Sequence, residues 1–482
     1  MLTAANPPSV PAPLVDLPPP LLAALNSKEI PRRPWQSTLA PHFIGLFLWV
    51  AYFDQIPRET LSIGGLLWPV LGSGLGGLLS YLLLYRTPAV WSLTTGRPLS
   101  ILSTSTFGVE GATYVPGLLL AATQIIWLAV STSYGTTLTL RGLVFLQVLD
   151  PKYLQPVLVG QFNLPSLLFL IAALFWCLEA AFVGRYIVSI IAALMNIYPI
   201  LPALILGVGT LLALRGLRGF EASGAAFVVN PGRAPPQLAA VVIALQMVFA
   251  FSTTAGLAAG DWGASVRGRY DIRLGGLVGI LFAPWIVATL AILTVAGAGP
   301  QRDLSYVAAI ESLIGGRMAG ATLMAFGLAA LAPAVYASFS FSTRVNATYP
   351  KVSKTHATLL VSLLAWLLVA SGLANRMFEV FSVVGGLLAP VAGAMAADRL
   401  LARGAWPGAR RGYNLPGWLA WTLGSAVGLT PTVARLFGSS GGLAAIQPAA
   451  LYAFLVAFLV YIVAAASGVS SSSDPRIPPR AS

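Results

Sequence analysis

The sequence predicts an all-α membrane protein with about twelve transmembrane helices. Charged residues make up only 9% of the 482 residues and hydrophobic residues 57%, whereas soluble globular proteins carry roughly 25% charged residues. The chain also contains twelve apolar stretches of the roughly 20 residues that a helix needs to cross a bilayer. This composition excludes a string of soluble domains, and its hydrophobicity excludes disorder over most of the chain.

The twelve predicted spans follow one another between two polar tails. They lie near residues 39–57, 62–85, 113–136, 165–184, 186–214, 236–259, 273–298, 319–342, 355–375, 379–401, 415–436 and 448–467. Residues 137–149 either extend the third span or form an outer loop. Residues 1–36, rich in proline, and residues 468–482, rich in serine and proline, are predicted to be disordered cytoplasmic tails.

The positive charges predict the orientation of the chain. The net charge is +13, and with the N-terminus inside, 18 of the 28 Lys and Arg residues fall on the cytoplasmic side. Because positive charge accumulates on the cytoplasmic side, both tails are predicted to lie in the cytoplasm. The protein itself is predicted to lie in an inner or plasma membrane. The basic residues occupy short loops without interleaved aromatic residues, so the sequence does not favour a nucleic-acid polymer as partner.

The sequence offers no enzymatic constellation. It contains a single cysteine, Cys177, which excludes an intrachain disulfide and a Cys/His metal site. It also lacks a Walker loop, an HExxH motif and a GxSxG elbow. We therefore predict no enzyme activity, no cofactor and no metal site.

Two of the predicted spans are irregular. The first meets Asp54 and Pro57, and the sixth has hydroxyl side chains and Gly256 at its middle. Interrupted segments five helices apart are typical of inverted-repeat transporters. The predicted repeats are residues 37–214 and 215–403, followed by two further helices in residues 404–467. The alternative for the sixth span is that its small residues simply permit close helix packing.

The block from Thr95 to Trp127 carries a resemblance to a known family. It reads TGRPLSILSTSTFGVEGATYVPGLLLAATQIIW. In this block, Gly108, Pro116, Gln124 and Trp127 are among the matching positions. Weaker matches are Gly256, Asp261, Arg267, Arg269, Pro390, Gly393, Asp398, Tyr413, Asn414 and Trp418. Over about residues 35–465 the chain resembles a divergent member of the nucleobase–cation symporter family, above all its purine–cytosine permease and cytosine permease branch.

The resemblance implies a fold, an activity and a place for the site. The fold would be a ten-helix inverted repeat of the LeuT type plus two C-terminal helices. The activity would be alternating access to a site between helices 1, 3, 6, 8 and 10. Members of the family typically import purines, pyrimidines, hydantoins or related vitamins together with sodium or protons. The matching glutamine contacts substrate, which assigns that role to Gln124.

The residues themselves suggest a site for a flat heterocycle. The candidate substrate-binding residues are Gln124, Trp127, Phe249, Phe251, Ser252, Thr253 and Thr254. The Gln124 amide offers donors and an acceptor to a ring edge, and Trp127, three residues further on, can stack on a ring. The resemblance implies that one of the two phenylalanines supplies the aromatic contact that the family takes from its sixth helix. The hydroxyls either bind substrate or cap a half-helix. The alternative for Gln124 is a hydrogen bond between helices, and the alternative for Trp127 is a side chain that faces lipid or packs between helices.

The eighth span departs from the family. From Phe326 to Val335 it has no hydroxyl, amide or carboxylate, although sodium, a hard cation, prefers oxygen ligands. Asp54 lies about 22 Å into the first span at 1.5 Å per residue, and an ionisable group at such a depth is by default a functional hypothesis. We therefore predict coupling to protons through Asp54 rather than to sodium. The alternative is that the first helix ends early and Asp54 pairs with Arg58 at the outer surface.

Together these observations predict a permease for a nucleobase-like or related planar nitrogen heterocycle. Its partners would be the small-molecule substrate, H⁺ or Na⁺ and the lipid bilayer, and the sequence indicates no oligomeric state. The alternative is a transporter-fold membrane protein without turnover that acts as a sensor or an assembly partner.

Overall fold

The computed structural model describes residues 16–26, 31–159, 162–186, 198–220, 236–299, 304–439 and 441–479. Within them the chain is almost entirely helical, with one antiparallel hairpin of two short strands. The helices and strands are α1 (Pro19–Leu25), α2 (Leu39–Phe47), α3 (Val50–Phe53), α4 (Gln55–Gly64), α5 (Leu67–Thr95), α6 (Leu99–Leu102), α7 (Thr104–Phe107), α8 (Thr113–Phe145), β1 (Val157–Val159), β2 (Phe162–Leu164), α9 (Leu167–Tyr186), α10 (Ile200–Ala213), α11 (Pro236–Trp262), α12 (Arg269–Gly297), α13 (Tyr306–Ile314), α14 (Gly316–Thr348), α15 (Lys354–Ala370), α16 (Met377–Leu401), α17 (Leu415–Leu436) and α18 (Ala449–Ala466).

Each of the twelve predicted spans coincides with a helix. Among the described residues, eight helices are long and apolar enough to cross a membrane, or nine when the bent first pair counts as one. α10 and α15 are shorter apolar helices, and part of the predicted fifth span, residues 187–197, lies outside the described residues. The chain is therefore a multi-pass membrane protein, while the predicted number of twelve spans stays a prediction. Because α8 runs to Phe145, most of residues 137–149 extends the third span.

Small residues let α5 and α11 pack closely. A Cβ atom on Gly72 would lie 2.4 Å from the Val241 carbonyl oxygen, and one on Gly256 would lie 2.7 Å from the Leu84 Cβ. The outer face of α5 instead exposes leucines, among them Leu67 at 60%. Glycine on the inner face and leucine on the outer face are what helix packing inside a bilayer requires.

The first span is broken, but earlier than the sequence predicts. The helix bends by 52° between α2 and α3, where Trp49 has an extended backbone with φ −74° and ψ 125°. Asp54 has helical dihedral angles. Pro57 is the third residue of α4, a position in the first turn where the missing N–H would have no intrahelical partner anyway. The predicted break at Asp54–Pro57 is therefore wrong in position.

The predicted interruption of the sixth span is wrong. α11 is continuous from Pro236 to Trp262. The Thr253 hydroxyl donates to the Ala250 carbonyl at 2.7 Å inside the helix, and Gly256 serves the contact with α5. The close-packing alternative describes this span. The division of the chain into two repeats stays a prediction.

Parts of both predicted tails are ordered, so the prediction of disorder is wrong for them. α1 buries Leu21 (1% exposed) and packs against α6 and α14. Near the other end, the Asp474 N–H donates to the Ala409 carbonyl at 2.8 Å, and Ile477 is buried. Buried apolar side chains hold both segments to the helices. Residues 1–15, 27–30 and 480–482 lie outside the described residues.

Candidate functional site

One face of α8 carries Gln124 and Trp127, which the sequence singles out on the third span, together with Ser131 and Tyr134, which it does not. Gln124, Trp127, Ser131 and Tyr134 follow at intervals of three or four residues, which places them on one side of the helix. Gln124 and Trp127 are buried, at 5% and 8% exposure. The face meets the broken first span, because the Trp127 ring lies 5.7 Å from the ring of Trp49. From Gln124 to Tyr134 it extends about 15 Å along the helix.

Phe251 is the centre of an aromatic cluster. Its ring lies 4.8 Å from Tyr52, 5.3 Å from Trp127 and 5.3 Å from Phe381. Two further rings complete the set. The aromatic cluster consists of Phe47, Trp49, Tyr52, Trp127, Phe251 and Phe381. It joins both sides of the first-span break to α8, α11 and α16.

Buried polar atoms without a partner accompany these rings. The indole N–H groups of Trp49 and Trp127 have no hydrogen-bond partner among the described residues. The same holds for the hydroxyls of Ser131, Ser252 and Ser382. Ser252 and Ser382 directly follow a phenylalanine of the cluster, and Ser131 lies on the α8 face that carries Trp127. A buried donor without a partner costs free energy. Flat rings next to unused donors suit a flat ligand that brings acceptors.

The predicted residues of the sixth span divide into two groups. Phe251 belongs to the aromatic cluster, whereas Phe249 is fully buried and lies outside it. Side chains two positions apart on an α-helix point in directions that differ by about 200°. Only one of these two phenylalanines can therefore face the cluster. The Thr253 hydroxyl is used inside the helix, while the hydroxyls of Ser252 and Thr254 have no partner among the described residues.

Sequence reasoning missed four members of the cluster. Phe47 is the last residue of α2, directly before the break. Trp49 and Tyr52 stand beside the break of the first span, and Phe381 lies in the second turn of α16. A signal was available, because the implied site between helices 1, 3, 6, 8 and 10 directs attention to aromatic residues on the first and tenth helices. The exact position of the break was needed to choose among them.

Asp54 is buried, at 1% exposure. Its carboxylate accepts from the backbone N–H of Val307 at 3.0 Å, from the Tyr134 hydroxyl at 3.1 Å and from Gln55 Nε2 at 3.4 Å. Arg58 is the fourth donor, with Nη2–Oδ2 at 3.4 Å. The pairing with Arg58 is the predicted alternative, but Asp54 itself is buried, whereas the Arg58 side chain is 36% exposed. Asp54 thus connects α8 and the N-terminus of α13 to the first span. The N-terminus of a helix such as α13 is a favourable place for a negatively charged side chain.

α13 is held at its other end by an ion pair. Arg141 Nη2 lies 2.5 Å from Glu311 Oε2. Burial raises the pKa of Glu311, and the Arg141 guanidinium opposes this rise. Together with Asp54, this pair fastens α13 across the ends of α4 and α8. α13 is therefore held to the first span by Asp54 and to α8 by Arg141.

A second set of polar contacts lies at the C-terminal end of α11. Asp261 pairs with Arg344 of α14 at 3.4 Å and accepts from the Leu99 N–H at 3.0 Å. Asp398, near the C-terminal end of α16, pairs with Arg410 at 3.0 Å. Along α11, Asp261 lies ten residues, or about 15 Å, from Phe251 of the aromatic cluster.

The eighth span is as apolar in the structure as in the sequence. α14 is continuous through Pro333, and its Phe326 ring faces the first span, 6.2 Å from the Phe53 ring. Among the described residues, no three His, Cys, Asp or Glu side chains lie close enough together to hold a metal ion. At this contact, the helix offers a ring rather than an oxygen ligand.

The fold matches those of known transporters. No family model and no curated protein matches the sequence. Mhp1, a nucleobase-cation-symport-1 family transporter, matches in a closed conformation with bromovinylhydantoin bound, with a TM-score of 0.59 and 15% identity over 92% of this chain and 95% of that chain. Its inward-facing conformation gives a TM-score of 0.61 and 14% identity over 93% and 96%.

A Na⁺-coupled sialic acid symporter in a substrate-bound outward-open state gives a TM-score of 0.56 and 13% identity, covering 92% of each chain. The chain has the LeuT-type fold. This confirms the predicted fold class, an all-α membrane protein of the LeuT type. At such low identity the likeness concerns the fold, and the role of each site residue stays a prediction.

Proposed function

We propose that this protein is a secondary transporter that imports a small, flat, nitrogen-rich heterocycle by alternating access. The observation that carries the proposal is the aromatic cluster where the broken first span meets α8, α11 and α16. It offers ring faces together with the unpartnered indole N–H groups of Trp49 and Trp127. The fold shared with Mhp1, whose structure contains bromovinylhydantoin, supports the same conclusion.

The composition of the cluster favours an uncharged substrate. All six members are neutral aromatic residues, and Asp54, the nearest charged group on the first span, is occupied by its own donors. A charged substrate would lie there without a counter-charge, which is costly in a buried site. Nucleobases and hydantoins are flat, neutral and rich in carbonyl acceptors, so they fit this chemistry and we propose this substrate class.

Alternating access requires closures that open in turn. In the proposed mechanism, the Asp54 network releases α13 on one side, and the Asp261–Arg344 pair separates on the other. By the distribution of positive charge, the Asp261 side and both termini face the cytoplasm of an inner or plasma membrane. The ring contacts between α14 and the first span lack oxygen ligands, so we propose protons rather than sodium as the coupling ion.

The first test of the function is ligand binding and exchange. Purified full-length protein is heated with uracil, cytosine, hypoxanthine, hydantoin or bromovinylhydantoin, and a ligand at 100 times its Kd is expected to add about 2.7 kcal/mol of stability. Counterflow of that ligand in proteoliposomes then tests transport. If no compound stabilises the protein and none exchanges, the alternative prevails: a transporter-fold protein without turnover, which the apolar α14 favours.

Asp54→Asn is the test of proton coupling. We expect it to abolish uptake driven by a proton gradient, because the amide has no titratable proton, while counterflow without a gradient continues. Tyr134→Phe, which removes one donor to Asp54 but keeps the carboxylate, is the matched control and retains proton-driven uptake. Proton-driven uptake that is unchanged in Asp54→Asn would show that the proton binds elsewhere or that another ion is coupled.

A further inference from the structure

A cavity of about 790 Å³ lies between α5, α12 and α16. Five arginines line it: Arg86, Arg269, Arg273, Arg399 and Arg403. Among the described residues, no acidic side chain lines it, and none of those that line it belongs to the aromatic cluster. We call it the arginine cavity. Its size lies in the range of roughly 300–1,000 Å³ that is usual for ligand sites.

The five arginines have no carboxylate partner among the described residues. The ion pairs found among the described residues involve other basic side chains, such as Arg344 and Arg410. Asp271 stands between Arg269 and Arg273 in the sequence, but it is buried, and its carboxylate accepts the Trp35 N–H at 3.3 Å. Like charges in one cavity repel each other. An anion from outside the chain would therefore reduce the repulsion among these arginines.

Arg403 adds an independent observation. Its φ is +53°, in the left-handed region, directly before Gly404 at φ +93°. A side chain is disfavoured in this conformation, and glycine is the usual residue where a helix ends in this way. Strain of this kind is typical of functional sites. An arginine is thus placed at the mouth of the arginine cavity at a position where glycine would be easier for the backbone.

Arginine clusters select phosphate. The planar guanidinium donates two parallel N–H groups to phosphate oxygens and is less hydrated than an ammonium group. Five guanidinium groups around one cavity can neutralise the charge of a phosphate group and donate to several of its oxygens. The chemistry of the arginine cavity is therefore that of a phosphate site.

The surroundings indicate which phosphate compound fits. Next to the arginines in the sequence, Tyr270, Leu400 and Leu401 expose 72%, 60% and 48% of their surface, and Leu82 on α5 exposes 41%. In a membrane protein such apolar surface faces acyl chains. The positive-inside distribution places the arginine cavity at the cytoplasmic side, where anionic lipids attract basic residues.

We propose that the arginine cavity binds the phosphate headgroup of an anionic phospholipid, with its acyl chains lying over the neighbouring leucines. The lipid would join α5, α12 and α16 at the cytoplasmic side. Its binding does not depend on the substrate, so the proposal stands apart from the transport activity.

The test measures thermal unfolding of the full-length protein in detergent with added lipid. Dioleoylphosphatidylglycerol is expected to give a saturable upward shift, while dioleoylphosphatidylcholine and inorganic pyrophosphate give none at the same concentration. Arg269→Gln/Arg399→Gln is expected to weaken the phosphatidylglycerol response at least tenfold. Arg215→Gln/Arg218→Gln removes two exposed arginines outside the arginine cavity and keeps the full response.

A single variant keeps the test decisive if the double variant does not fold. Arg403→Gly removes one guanidinium but relieves the left-handed backbone, so it is expected to fold at least as stably as the wild type and still respond less to phosphatidylglycerol. Equal shifts with phosphatidylcholine would overturn the proposal, since headgroup charge would then not matter. A shift with pyrophosphate equal to that with phosphatidylglycerol would assign the cavity to a soluble anion instead.

Discussion

Replacing Phe251 by alanine is expected to weaken the binding of a flat heterocyclic ligand about 10- to 100-fold. Stacking of a base on an aromatic side chain is worth about 1–3 kcal/mol, and each 1.4 kcal/mol corresponds to about tenfold in affinity. Phe251 also holds the neighbouring rings, with Tyr52 at 4.8 Å and Trp127 at 5.3 Å. The measurement is the Kd of whichever nucleobase or hydantoin stabilises the wild-type protein.

Phe249→Ala is the matched control for this experiment. Phe249 lies on the same helix, is fully buried like Phe251 and loses the same atoms, but it lies outside the aromatic cluster. We expect it to lower the unfolding temperature and to leave the Kd unchanged. If both variants weaken binding equally, the effect comes from α11 as a whole, and the aromatic cluster is not the site.

The fold was largely predictable because its main signal is local. A run of about 20 apolar residues has few alternatives to a membrane helix, and each predicted span coincides with a helix of the structure. The spacing of Gln124 and Trp127 likewise places both residues on one helix face without knowledge of the partner helix. The positions of the apolar helices and of this helix face therefore agree with the structure.

The helix breaks were not predictable in the same way. The first span bends at Leu48–Trp49, where the sequence has no glycine or proline, and the hydroxyl-rich centre of α11 stays helical. In both places packing between helices determines whether the helix breaks. In α11, for example, Gly256 packs against Leu84. A residue that permits a break also permits close packing, and the sequence alone does not distinguish the two.

Sites assembled from distant segments were equally hidden. The arginine cavity takes Arg86, Arg269 and Arg399 from three segments far apart in the chain. In the sequence these residues are ordinary cytoplasmic charges that set the orientation of neighbouring helices. Only their convergence, without a carboxylate among them, distinguishes them from the other positive residues on that side.

Arg410→Gln is expected to destabilise the protein by about 3–5 kcal/mol, the usual effect of removing one partner from a buried ion pair. The Arg410 side chain is 18% exposed and pairs with Asp398, which is 1% exposed. It also donates to the Tyr461 hydroxyl at 2.6 Å and to the Ser105 carbonyl. Without the guanidinium, Asp398 keeps the Thr106 hydroxyl at 3.1 Å but loses the positive charge of its ion pair.

Chemical denaturation in detergent measures this effect, with Arg411→Gln as the control. Arg411 is the exposed neighbour, and its backbone N–H bonds to Ser472 whatever its side chain, so the control should stay within about 0.5 kcal/mol of the wild type. Asp398→Asn added to Arg410→Gln removes the stranded carboxylate and is expected to recover part of the loss. A stable Arg410→Gln, or a double variant less stable than Arg410→Gln, would mean that the pair does not hold the loop to α16 and α18.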